Sequence, residues 1–421
     1  FRELYLVCLA EWTCRAMIHI NNMVKGWRSD MKIVNVKVIK SNRAVYCKIL
    51  TDEGITGLGE SGAWGFLDAS AQAIETFSQY LIGKDPMDIE HLWQSMYRYS
   101  HFRGAAIMGA LSAIDIALWD IKGKYYNAPI WQLLGGKCRD KVRVYAHVNG
   151  CTVEEQVEHC LKAKEEGYTA VGHINPFLDE PSDVPFSDGT AAMLYKAEER
   201  VGKIREAVGK DMDICLELHR RLEPALAISL SGKLEQFNPM FLEDPIRPDN
   251  FDAMAQVASA SRIPIATGER IHNIFEFQML LERRACHYVR ASICLCGGIT
   301  GAMKIAAVAE SHHCSLVPHN PLSPVATNAE LQLCAAIDNL AIAEYPSPDV
   351  RSTQDQFMGK KSGLRMRDMV NHVPNVKDGY VEIPTEPGLG IELVPDVEKL
   401  FPFQSHKIAT RMRIDGSVCD Q

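Results

Sequence analysis

The chain reads as an α/β protein: an α+β domain followed by a barrel of eight parallel strands with intervening helices, of the (β/α)8 type. Three observations predict this. Apolar runs ending in Glu217, Glu243 and Glu269 recur 26 residues apart, the length of one strand, one covering helix and two short loops. Similar runs flank them on both sides. Before residue 140 the pattern differs, with alternating strands first and helices afterwards, as in an α+β arrangement.

Residues 1–30 fit poorly with the rest of the chain and read as an N-terminal extension, poorly ordered. The apolar run at 4–10 has little positive charge before it and no convincing cleavage site after it, so it makes a weak signal peptide. From Met31 the pattern is crisp. Residues 32–39 alternate polar and apolar, 44–50 form a second strand, and Asp52-Glu53-Gly54 turns the chain into a third at 55–60. Helices are predicted over 69–80, 89–97 and 107–123, the last rich in small residues (Ala110, Ser112, Ala113, Ala117) suited to close packing. Domain boundaries are placed at 31–140 for this capping unit, 141–375 for the barrel and 376–421 for a C-terminal segment returning to the first domain.

Strand and helix alternate from residue 142: a strand at 142–149, a helix at 154–166 and a strand at 168–175. A long loop at 176–190, rich in Pro, Asp and Ser, precedes a helix near 191–208. The three glutamate-bearing strands come next. Runs ending in Ser292, His319 and Glu344 continue the series at spacings of 23, 27 and 25 residues. Eight strands close a barrel, and catalytic groups belong at their C-terminal ends.

Composition narrows the partners. The 421 residues are 47% hydrophobic, enough for a large core, and the net charge of −8 with no basic block excludes nucleic acid. No apolar run approaches the ~18 residues of a membrane span. Thirteen cysteines, an odd count without any Cys-x-x-Cys pair, read as buried thiols in a reducing, cytoplasmic setting. The partner expected is a small molecule, with no membrane and with assembly as a homo-oligomer.

Three glutamates at equivalent strand ends would converge on one mouth. Bare like charges so close repel strongly, and a divalent cation between them is the simplest resolution. Oxygen-only ligands point to a hard ion, Mg2+. His219, two residues after Glu217, is expected on the same strand face. Arg220 and Arg270 could balance charge or hold substrate. Trp64, on the loop Gly62-Ala63-Trp64-Gly65, is placed either to close over the substrate or to serve as a shielded core residue.

The chain carries the run Ser112-Ala113-Ile114-Asp115-Ile116-Ala117-Leu118-Trp119-Asp120, then Glu217-Leu218-His219, Phe241-Leu242-Glu243-Asp244-Pro245, Gly268-Glu269-Arg270, Gly297-Gly298, Pro318-His319-Asn320 and Pro387-Gly388-Leu389-Gly390. Together, in this order, these motifs resemble the enolase superfamily, in its mandelate racemase-like subgroup and the acid-sugar dehydratases within it. The likeness spans about 31–400. It implies a modified TIM barrel, (β/α)7β, capped by an α+β domain built from both chain ends. It also implies Mg2+ on Glu217, Glu243 and Glu269, with abstraction of the proton α to a substrate carboxylate by His319. His219 matches the general acid, and Glu344 matches an acid that hydrogen-bonds the substrate carboxylate or enediolate. The implied reaction is dehydration of an aldonic acid to a 2-keto-3-deoxy acid; the alternatives are an epimerase or cycloisomerase, or a metal-binding barrel that has lost catalysis and acts as a sensor.

Three departures stand out. Glu217 replaces the more usual Asp. The second barrel strand carries Gly172 and Ile174 where racemases hold two lysines, so His173 or Asn175 could substitute only if the register slips by one residue. Ser292 replaces the aspartate that usually supports the base histidine, which predicts a lowered His319 pKa and slow turnover unless another carboxylate reaches the ring.

Overall fold

The computed structural model describes residues 30–99, 101–179, 183–349, 365–405 and 410–420. The expected extension at 1–30 therefore lies almost wholly outside the described residues. The chain opens on an antiparallel meander, β1 (Ile33–Ser41), β2 (Ala44–Thr51) and β3 (Thr56–Ser61), in the order β1-β2-β3. Helices α1 (Leu67–Leu81), α2 (Ile89–Arg98) and α3 (Ala105–Tyr125) cover it, followed by the short α4 (Ile130–Leu133). Val45, Cys47 and Ile49 meet Ile74, Leu92, Leu111 and Ala117 in a core of their own.

Close approach of α3 to β3 demands glycine. A Cβ at Gly57 would lie 2.0 Å from the Ala117 carbonyl oxygen and one at Gly59 2.1 Å from that of Ala113. The same helix holds the barrel. Ser112, Asp115 and Trp119 recur at helical spacing and so share a face. Ser112 Oγ accepts the Gly297 N–H at 2.9 Å, Asp115 accepts that of Thr300 at 3.0 Å, and Trp119 Nε1 donates to Thr300 Oγ1. These acceptors satisfy N–H groups at the start of a barrel helix that would otherwise be orphaned.

The barrel strands are β4 (Lys141–His147), β5 (Ala170–Ile174), β6 (Asp213–Glu217), β7 (Phe241–Glu243), β8 (Ile265–Thr267), β9 (Tyr288–Val289), β10 (Ser315–Leu316) and β11 (Ala343–Tyr345). All are parallel in sequential order. The ring closes where β11 pairs β4 and Leu316 bridges Leu340. Seven helices follow the first seven strands: α5 (Val153–Glu165), α6 (Thr190–Val208), α7 (Pro224–Leu234), α8 (Phe251–Ala260), α9 (Ile274–Glu282), α10 (Gly298–Ser311) and α11 (Pro324–Ala336). No α-helix takes an eighth barrel place among the described residues, so the architecture is (β/α)7β rather than a full (β/α)8. Tyr145, Ala170, Cys215, Phe241, Ala266, Val317 and Ile342 fill the barrel interior.

After β11 the hairpin β12 (Val376–Lys377) and β13 (Tyr380–Glu382) pairs β4 antiparallel. Residues 387–401 then run between the two domains. Leu389 N–H donates to Asp120 at 2.7 Å, and Phe401, beyond the one-turn α12 (Val397–Leu400), accepts from Ser41. A final hairpin, β14 (Arg411–Met412) with β15 (Val418–Cys419), lies on the loop around Phe186.

Candidate functional site at the barrel mouth

Parallel pairing sets Glu217 directly opposite Glu243 at the ends of β6 and β7. Glu269 arrives two residues beyond β8. All three carboxylates are at least 94% buried. Burial first, and then the charges of Glu243 and Glu269, push Glu217 well above the ordinary carboxyl range. Burial likewise raises Glu243 to about 7, although Arg290 opposes it. Glu269 goes the other way: burial raises it, but His319, Arg270 and Arg220 outweigh burial and hold it well below the usual range.

Those opposing directions follow from the ion pairs. His319 Nε2 stands 2.8 Å from Glu269 Oε2, and Arg220 Nη1 and Arg270 Nε donate to Glu269 Oε1 at 2.9 and 2.7 Å. Arg290, 1% exposed, spans Glu243 at 2.5 Å and Glu344 at 2.6 Å, and also donates to the Val317 and Pro318 carbonyls. Glu344 accepts further from His147 Nε2 at 2.7 Å and the Asn320 N–H at 2.8 Å. Burial would raise Glu344, but Arg290 and His147 hold it well below the carboxyl range. Its neighbours therefore favour the anion.

The histidines reach the mouth by a route the strand period does not give. β6 ends at Glu217, and His219 lies beyond it in the left-handed region (φ 49°), as does Arg220 (φ 63°). The shared-face argument for His219 fails, since that residue is off the strand. It returns because its N–H donates to Glu217 Oε1 at 2.7 Å. On β5 a bulge between Val171 and Ile174 adds one residue, with His173 at φ 58°. The one-residue slip that His173 needed is thus present. Such backbone costs on the order of 1–3 kcal/mol per residue and concentrates at functional sites.

Rings then pack in series. Tyr145 stacks on His147 at 5.9 Å, His147 on His173 at 5.2 Å, and His173 meets His219 edge-on at 5.1 Å. Gly172 is required, because a Cβ there would enter the Tyr145 ring at 2.4 Å. Burial and then the Arg220 charge push His219 down to about 3. One donor atom each from His173, Glu217 and His219 lies within 4.8 Å of the other two. Among the described residues the three glutamates do not form so tight a group.

Ser292 is buried, yet His319 Nδ1 has no hydrogen-bond partner among the described residues, so no hydroxyl orients the ring. The carboxylate that reaches His319 is Glu269. Burial would depress the imidazole pKa, but this carboxylate overrides it and raises the value, opposite to the direction expected from Ser292 alone. Trp64 is 48% exposed on the loop following β3, whose Gly62 N–H donates to the Cys294 carbonyl at 2.8 Å. The loop is thereby tied to the segment after β9.

Arg290 and His147 belong to the site but were not singled out from sequence, and His173 was weighed there only on condition of a register slip. Arg290 left a usable signal, a lone charge between Val289 and Ala291 just past a short apolar barrel strand. No comparable mark distinguishes His147.

The residues fit a divalent cation in kind. Two carboxyls raised first by burial and then by neighbouring carboxylates, with a third nearby, are a donor set for a hard ion. No helix among the described residues is long and apolar enough to cross a membrane.

The chain is similar to known proteins over most of its length. Residues 18–135 match the family model for the mandelate racemase/muconate lactonizing enzyme N-terminal domain, and 155–397 match the enolase C-terminal domain-like model. An enolase from Agrobacterium radiobacter, named provisionally as a galactarate dehydratase and holding sodium and L-malate, is 29% identical with a TM-score of 0.85 over 93% of this chain and 100% of that one. An enolase from Pantoea ananatis with bound D-gluconate and magnesium is 29% identical, TM-score 0.83, over 93% and 100%. A provisionally named dehydratase from Salmonella enterica serovar Typhimurium is 31% identical, TM-score 0.80, over 89% and 99%.

Proposed function

Since the chain belongs to the mandelate racemase and muconate lactonizing enzyme group of the enolase superfamily, we propose that it is a Mg2+-dependent dehydratase of an acid sugar, forming a 2-keto-3-deoxy acid. The observation that carries this reading is His319 hydrogen-bonded to Glu269 in the mouth that also holds Glu217 and Glu243. Bound sodium with L-malate and bound magnesium with D-gluconate in two similar proteins support the substrate class and the ion.

Glu217, Glu243 and Glu269 would hold the ion, which when bound stabilises charge developing on a substrate carboxylate. His319 removes the C2 proton. With Nε2 donating to Glu269, the open lone pair of the neutral ring is on Nδ1. His219 gives a proton to the departing 3-hydroxyl, and the enol ketonises. Arg220 and Arg270 border the mouth and face the carboxylate end of the substrate. Arg290 and His147 touch neither; they fix Glu243 and Glu344.

Acid and base are unfavourably poised. His219 near 3 is mostly neutral when His319, above its ordinary ~6.5, is still mostly protonated. That favours a second reading, a barrel that binds acid sugars with little turnover. A panel of aldonic acids with Mg2+, assayed for 2-keto acids, tests the first. Thermal stabilisation by a sugar acid without product would select the second.

A further inference from the structure

We propose that His173, Glu217 and His219 form a second metal site, selective for borderline divalent ions such as Zn2+, and that filling it switches the barrel off. One nitrogen or oxygen from each already lies within 4.8 Å of the other two. Two imidazoles and one carboxylate suit Zn2+ or Co2+, whereas an all-oxygen set suits Mg2+.

The backbone is built to bring these groups together. The β5 bulge turns His173 (φ 58°) toward the mouth, and the left-handed turn after β6 (φ 49° at His219) brings the second ring back. His147, held by Glu344 at 2.7 Å, stacks on His173 at 5.2 Å and restrains its ring. The His219 N–H does the same for Glu217. Supporting contacts of this kind orient metal ligands.

Competition arises from the shared residue. An ion on all three glutamates must share Glu243 with Arg290, and Glu269 with Arg220, Arg270 and His319. Among the described residues no salt bridge engages Glu217, whose Oε1 accepts the His219 N–H. A borderline ion there takes Glu217 from the glutamate set and His219 from proton transfer. Zinc inhibition presupposes the dehydratase reading; zinc binding at these three groups does not.

The test uses Co2+ added to the chelator-treated full chain. One Co2+ per chain is expected, with visible ligand-field bands, two strongly shifted imidazole N–H proton signals and displacement by Zn2+. His173→Asn should weaken Co2+ at least about tenfold, and Glu243→Gln less than about threefold. Unshifted imidazole signals, or equal weakening by both substitutions, would place Co2+ on the glutamates and overturn the site. Should His173→Asn not fold, the count of shifted signals in the unaltered chain decides. Undiminished turnover with Zn2+ bound would overturn the inhibition, and absence of turnover with any acid sugar would sink the dehydratase reading alone.

Discussion

His319 and Glu269 face each other across the barrel mouth, Nε2 to Oε2, at 2.8 Å. The carboxylate favours the imidazolium and raises its pKa against the effect of burial. In the metal-free chain the His319 ring should therefore titrate above the ordinary ~6.5. Mg2+ bound at Glu269 would draw that charge away and lower the midpoint. A ring-selective NMR titration with and without Mg2+ measures this, and an unmoved midpoint would separate His319 from the ion.

His219 responds to a different neighbour. Burial is the main cause of its low pKa and Arg220 the next. Arg220→Gln should raise the His219 midpoint from about 3 while leaving it below 6.5, because burial remains. The same titration reads it. An unchanged midpoint would show that the guanidinium charge is already screened.

Arg290 offsets two buried carboxylates at once. Arg290→Met takes the guanidinium from Glu243 and leaves Glu344 with only His147 and the Asn320 N–H, and removal of one partner from a buried ion cluster costs about 3–5 kcal/mol. Denaturant unfolding at pH 7 should show a loss of that order. The loss should shrink as pH falls and the carboxyls protonate. A loss below about 1 kcal/mol would mean water reaches the cluster.

Glu60 links the domains by accepting from Ser323 Oγ at 2.5 Å and from the Ser323 and Ala326 N–H groups at the start of α11. Burial raises its carboxyl from 4.5 to about 7. An acid whose folded pKa is raised destabilises the fold once the unfolded chain ionises. The effect is absent below 4.5 and complete above about 7, reaching at most about 3 kcal/mol. The stability advantage of the natural chain over Glu60→Gln should therefore narrow from pH 5 to pH 8. A constant difference in unfolding free energy would contradict the shift.

Much of this architecture is legible in the sequence. Barrel strands are buried on both faces, so each appears as a short apolar run, and even spacing announces the βαβ repeat. The motif from Ser112 to Asp120 is visible, but its purpose is not; only the fold shows Ser112 and Asp115 meeting N–H groups at the start of α10. The His173 bulge is invisible to period-two counting, because one inserted residue leaves no mark in composition. Sequence reasoning puts His219 at the right mouth by a wrong route, a strand face where the chain in fact turns. Alternation alone suggests a (β/α)8 barrel; the resemblance carried by the motifs gives the observed (β/α)7β.

Loss of label from C2 tests the central claim most directly. An acid sugar deuterated at C2 is incubated with the full chain in ordinary water, and deuterium released to solvent is measured. Release that requires Mg2+ and vanishes in His319→Asn is the predicted result. Deuterium retained at C2 under every condition, or release undiminished without the imidazole, would contradict it.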